Sequence, residues 1–169
     1  MVLVLDSSRT GHVRYAHTRR LERPIPEADK IVARLILSFM LASFGAFASD
    51  FPAQVISLNV GNQKIHAEVA STQAALEEGL MNRESLGENE GMLFVFKNEF
   101  KLCLWMKDTK LPLSVAFIDR NGSILNIANM RPLSSDFHCA GSPAQFALEM
   151  NAGWFEKHGV TPGAKVRTE

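Results

Sequence analysis

From residue 54 onward the chain alternates short apolar runs with clusters of Gly, Asn, Pro and Ser, a rhythm that predicts strands rather than helices. Residues 54–60 and 63–70 alternate apolar and polar positions on either side of Gly61-Asn62. That pattern predicts a hairpin, because a primed two-residue turn needs positive φ at those positions. Thr72 is placed to cap a short helix over 73–81, with Leu76 and Leu80 on one face and Gly79 marking where it frays. Residues 82–90 are polar and read as a loop. Met92–Phe96 and Val115–Ile118 are apolar runs of the kind found in strands of a buried sheet. Asp119-Arg120-Asn121-Gly122 is a second turn, and residues 123–128 return as a partner strand. Residues 130–143 are irregular, 144–150 alternate as a further strand, and 153–158 form one helical turn ended by Gly159. Pro162-Gly163 then leads into a short last strand, 164–167. Seven or eight short strands with two helical pieces predict an all-β, mainly antiparallel sandwich or barrel.

The chain ahead of this pattern differs. Arg34 precedes an apolar run, 35–47, and Ala46-Phe47-Ala48 fits a small-x-small cleavage site, so 31–48 reads as a secretory signal peptide. A true span is not expected, since 31–47 is near the lower limit of length and is broken by Arg34. Residues 1–30 are polar, rich in Arg and His and without periodicity, longer than the region that normally precedes a signal core. They are read as a mis-assigned start or a disordered segment, with translation expected to begin near Val32. The organisation expected is therefore 1–30, the signal segment 31–48, and one domain over 49–169, periplasmic or secreted. Contact with a membrane is expected only through an uncleaved signal segment.

Charge sharpens the partner classes. Before Ser49 there are seven basic and four acidic residues; from Ser49 on there are eleven and fourteen, a net of −3. A mildly acidic body without a basic run argues against nucleic acid, which requires a cationic footprint. Oligomeric state is not written in the sequence. Cys103 and Cys139 are the only cysteines, and an even pair in an oxidising compartment points to one disulfide. It would close a loop of about 36 residues and contribute on the order of 3–4 kcal/mol. A metal site using Cys103, His138 and Cys139 is the alternative, although adjacent His-Cys is poor chelating geometry.

Between the apolar runs at 92–96 and 115–118 lies Trp105-Met106-Lys107-Asp108-Thr109. Read as a strand, it puts Trp105, Lys107 and Thr109 on one face and Met106 and Asp108 on the other. An aromatic plate beside a cation, a hydroxyl and a carboxylate suits a glycan or small polar ligand; the competing reading has Trp105 in the core and the polar residues capping a turn. Glu149 sits in an otherwise apolar strand and needs a partner, for which Arg83 and Lys107 are the candidates. Were Glu149 to converge with Asp108 or Asp119, paired carboxylates could act as acid and base on a glycosidic bond. Scattered Met81, Met92, Met106, Met130 and Met150 invite a periplasmic metal-handling reading but read more simply as core filling. No nucleophile motif, Walker-type loop or zinc-protease motif is present, and no cofactor is expected.

Gly79-Leu80-Met81-Asn82-Arg83, Gly91-Met92-Leu93-Phe94, Trp105 to Thr109, Pro112-Leu113, Phe117, Asp119, Gly122, Pro132, Leu148-Glu149 and Gly153 together resemble the family catalogued as domain of unknown function 192. The resemblance spans about residues 55–168. It implies a compact jelly-roll-like sandwich and brings no activity with it. The family usually carries Asn after the Lys; this chain has Asp108, which cannot replace an amide donor unless protonated. The expectation is an exported binding or interaction module of the cell envelope whose ligand surface involves Arg83, Trp105, Lys107, Asp108, Thr109 and Glu149. A carbohydrate-active hydrolase or transferase using Glu149 is the second reading.

Overall fold

The computed structural model describes residues 2–4 and 54–169. The signal segment and the rest of residues 1–53, on which several expectations fall, lie outside the described residues. Among the described residues, ten strands and two short helices follow in chain order: β1 Val2–Val4, β2 Val55–Val60, β3 Gln63–Ala70, α1 Gln73–Glu78, β4 Glu90–Phe100, β5 Leu102–Leu104, β6 Leu113–Ile118, β7 Ile124–Met130, β8 His138–Cys139, β9 Ala144–Asn151, α2 Trp154–Lys157 and β10 Val166–Thr168. They form a curled seven-stranded sheet, β10-β2-β3-β4-β9-β6-β7, and a three-stranded sheet, β1-β5-β8. The fold is mainly β, as expected. No helix among the described residues is long and apolar enough to cross a membrane.

The predicted hairpin is present: Val60 pairs with Gln63 across the turn, and Gly61 takes φ 60°. Thr72 caps α1 by accepting from the Ala75 amide. The helix ends at Glu78, sooner than the apolar spacing predicts, because Gly79 turns the backbone to φ 53°. The connection through α1 is long enough to carry the chain across, so β4 lies parallel to β3 within an otherwise antiparallel sheet.

Side chains of the central strands point alternately to two apolar layers. Leu93, Ala116, Ile118, Leu148 and Met150 join Leu58, Val60, Ile65, Ala67, Trp154 and Phe155 inside the curl. Met92, Phe94, Phe96, Leu113, Val115, Phe117 and Ala147 face the other way, onto Leu80, Leu102, Leu104, Met106 and Ala140. Burial on both faces explains why β6 reads as an unbroken apolar run. Gly91 allows β4 and β9 to approach this closely. A Cβ there would lie 2.5 Å from the Glu149 carbonyl oxygen and 2.4 Å from Met150 Sδ.

Cys103 and Cys139 face each other across β5 and β8 and form a disulfide. The sulfur-ligand alternative falls, since neither thiol is free, and no cluster of three metal-ligating side chains occurs among the described residues.

Candidate functional site

Glu149 defines the site. Its neighbours across β9 are Met92 on β4 and Val115 on β6, so the carboxyl projects from the middle of the sheet on the layer that carries Phe94 and Leu104. It is 5% exposed. None of the described residues donates a hydrogen bond to its carboxyl. Loss of water around the ionised form raises its pKa from 4.5 to about 7.

The expected partners are elsewhere. Arg83 forms a two-pronged pair with Glu68, at 2.6 Å for each nitrogen–oxygen contact. That pairing keeps the guanidinium above its ordinary pKa. Glu68 is level with Met92, which is level with Glu149, so Arg83 serves a carboxylate two strands away, about 10 Å at ordinary strand spacing. Lys107 is exposed, 4.0 Å from Asp108 and 5.9 Å from the centre of the Trp105 ring. Neither the Arg83–Glu149 nor the Lys107–Glu149 pair forms.

The stretch 105–110 is a turn rather than a strand, which corrects the alternation expected of it. Asp108 adopts φ 54°, and the Thr109 amide donates to the Met106 carbonyl at 3.2 Å. Asp and Asn are the side chains that best tolerate this left-handed conformation. The position therefore sets backbone direction, and its carboxylate is exposed. The turn is held from both sides. Asn82 donates to the Asp108 carbonyl, Leu133 to that of Thr109, and Met106 to that of Ser134, at 3.0–3.1 Å.

A small hollow with about 10 Å³ of enclosed room lies between this turn, the end of α1 and the sheet, lined by Gly79, Leu80, Phe94, Leu104, Trp105, Thr109 and Glu149. Of the six expected ligand-surface residues, Trp105, Thr109 and Glu149 line it; Arg83, Lys107 and Asp108 do not. Trp105 stacks against Phe137 with ring centres 5.5 Å apart and planes 10° apart. Its Nε1 is buried without a hydrogen-bond partner. Thr109 donates its hydroxyl to the Lys107 carbonyl at 3.2 Å, which leaves oxygen lone pairs free to accept. Sequence reasoning missed Gly79, Leu80, Phe94 and Leu104 as lining. The first three were quoted in the motifs, but nothing in their apolar character separates a wall from a core.

Neither Asp108 nor Asp119 lines the hollow with Glu149. Asp119 lies beyond the end of β6, four residues from the Val115 level, or about 13 Å at the rise of a strand. Its Oδ1 accepts from the amides of Asn121 and Ser123 at 2.8 Å, closing the β6–β7 turn.

Comparisons agree with this fold. Residues 56–168 match the family model DUF192, described as Uncharacterized ACR. A crystal structure from Sinorhizobium meliloti 1021, described as a candidate transcription regulator, is 30% identical with TM-score 0.67, the match covering 69% of this chain and 95% of that one. A protein of unknown function from Novosphingobium aromaticivorans DSM 12444 is also 30% identical, with TM-score 0.66, covering 75% and 94%. No curated protein matches the chain.

Proposed function

From the premise that the chain belongs to the DUF192 family, we propose that it is an exported, single-domain module that binds a small polar molecule or the end of a glycan in the hollow beside Trp105. The observation that carries this reading is the meeting in one opening of the buried Glu149 carboxyl and the Trp105 indole N–H, which is left without an acceptor. A buried donor left without an acceptor costs on the order of 1–3 kcal/mol, so a site keeping one is better satisfied when something occupies it. The enclosed room, about 10 Å³, is that of about one water, so a ligand would place only the tip of one polar group there. Export is supported by the disulfide and by the signal-like segment 31–48. The small sheet covering one face of the curled sheet supports the finer description as a jelly-roll-like sandwich. The relative described as a candidate transcription regulator suggests no such role here, because eleven basic against fourteen acidic residues from Ser49 onward give no cationic footprint.

The test is a titration of ¹⁵N-labelled protein with glucose, N-acetylglucosamine, glucosamine, ethylene glycol and ethanolamine. The indole N–H signals of Trp105 and Trp154 are followed. Trp154 Nε1 already donates to Asn89 Oδ1 at 3.1 Å and serves as an internal control. At least one compound is expected to move the Trp105 signal saturably while Trp154 stays in place. If none of the five does so at millimolar concentration, the binding reading fails.

A further inference from the structure

The size of the hollow and the groups around it decide which single atom suits it. The enclosed room, about 10 Å³, is close to the minimum of about 10–15 Å³ that one water requires, and a water also needs two to four polar partners. Three side chains of the lining can supply them. Trp105 Nε1 is buried, can only donate, and meets no acceptor. Thr109 Oγ1 has given its proton to the Lys107 carbonyl and keeps lone pairs to accept with. The Glu149 carboxyl accepts when ionised and both accepts and donates when protonated. The rest of the lining, Gly79, Leu80, Phe94 and Leu104, offers no polar side chain. An oxygen that carries both a proton and lone pairs fits this set in either state of Glu149: it accepts from the indole and donates to the hydroxyl or the carboxyl. An ammonium nitrogen cannot accept from the indole, and an ether or carbonyl oxygen has nothing to donate. Nor is a cation what Glu149 lacks, since the positive charge of the chain's own amino terminus already acts on it. Of the seven lining residues only Trp105 is half-buried and the others are buried, so the way in runs past the indole ring.

We propose that the hollow seats one hydroxyl-type oxygen between Trp105 Nε1, Thr109 Oγ1 and the Glu149 carboxyl: a water in the free protein, replaced on binding by a single alcohol group of the ligand that enters past Trp105. The remainder of the ligand stays outside the enclosed room. The proposal rests on the reading of the hollow as a binding site and names the group it selects, a neutral hydroxyl such as those of sugars and other polyols.

Two measurements test it. A high-resolution crystal structure of the ligand-free protein is expected to show one ordered water within hydrogen-bond reach of Trp105 Nε1 and of Thr109 Oγ1 or the Glu149 carboxyl. A hollow that is dry in that structure overturns the proposal. The second measurement follows the Trp105 indole signal. Each of the five compounds that moves it is compared with its O-methylated counterpart, which keeps the oxygen and loses the proton. Ethanolamine is also compared at pH 7 with ethylamine, which keeps the ammonium, is no larger, and lacks only the hydroxyl. The counterparts are expected to bind at least about tenfold more weakly, because each leaves one of the buried partners unpaired. Equal binding by ethylamine or by a methylated form overturns the choice of a hydroxyl while leaving the hollow a binding site. An ordered water with no Trp105 shift from any of the five removes the binding reading, and the ligand's part of this proposal with it.

Discussion

Glu149 couples the site to the stability of the fold. With a folded-state pKa of about 7 against an ordinary 4.5, the folded protein holds this proton more tightly than the unfolded chain. Below pH 4.5 both states carry the proton and the contribution is complete. Between 4.5 and about 7 the unfolded chain has released it while the fold retains it, so stability falls as pH rises; above 7 nothing further is lost. The total is roughly 3 kcal/mol at 1.36 kcal/mol per unit. Glu149→Gln is expected to remove this part of the slope. Urea unfolding of parent and variant at pH 5 and pH 8 checks it, with the stability difference shifting toward the variant at pH 8 by up to about 3 kcal/mol. Parallel slopes in the two proteins would show that the carboxyl is solvated. The sequence marked this residue correctly, as a charge stranded in an apolar strand, but misassigned its partner. Arg83 was drawn to Glu68 because β3 runs parallel beside β4, and parallel pairing across a long connection leaves no local signal.

At the level of elements, local turn chemistry was legible and long-range placement was not. Gly61-Asn62, Thr72 and Asn121-Gly122 were read correctly because each acts through its own neighbours. Of the two readings of 105–109 the strand fails and the turn holds: the alternation of residue types is genuine, while the geometry is set by Asp108 at positive φ and by bonds to Ser134 and Asn82. The link that brings segment 131–139 into place is the bridge between β5 and β8, reinforced where Asn126 donates to the Cys139 carbonyl at 3.1 Å and accepts from the Gly141 amide at 2.8 Å. Opening it frees a loop of 36 residues. Reduction, or Cys103→Ser with Cys139→Ser, is expected to cost about 3–4 kcal/mol and lower the melting temperature by roughly 10 °C or more. Thermal melts with and without reductant measure this, and a thiol assay on unfolded, unreduced protein is expected to find no free thiol. Two free thiols would refute the bridge.

Across the described body, the two faces of the curled sheet serve different ends. Inside the curl, Leu148, Leu58, Val60, Ile65, Trp154 and Phe155 pack without an opening to the site. On the other face the same strands support a layer that stays incomplete beside Trp105, where Leu133 at 64% exposure and Phe137 at 49% leave apolar surface in water. A fold that separates its stabilising layer from its binding layer can lose a side chain from the second without losing the first. Leu148→Ala, which empties a fully buried position within the curl, is expected to cost about 2–5 kcal/mol and to leave little soluble protein. Trp105→Ala removes a half-buried ring stacked on an exposed Phe137, so the melting temperature is expected to fall by less than in Leu148→Ala. Binding by the Trp105 variant of whichever of the five test compounds the parent binds, followed calorimetrically, is expected to drop at least tenfold because the ligand loses the indole donor. The opposite ranking, with Trp105→Ala the more destabilised of the two, would make the indole a core element and the hollow a packing defect.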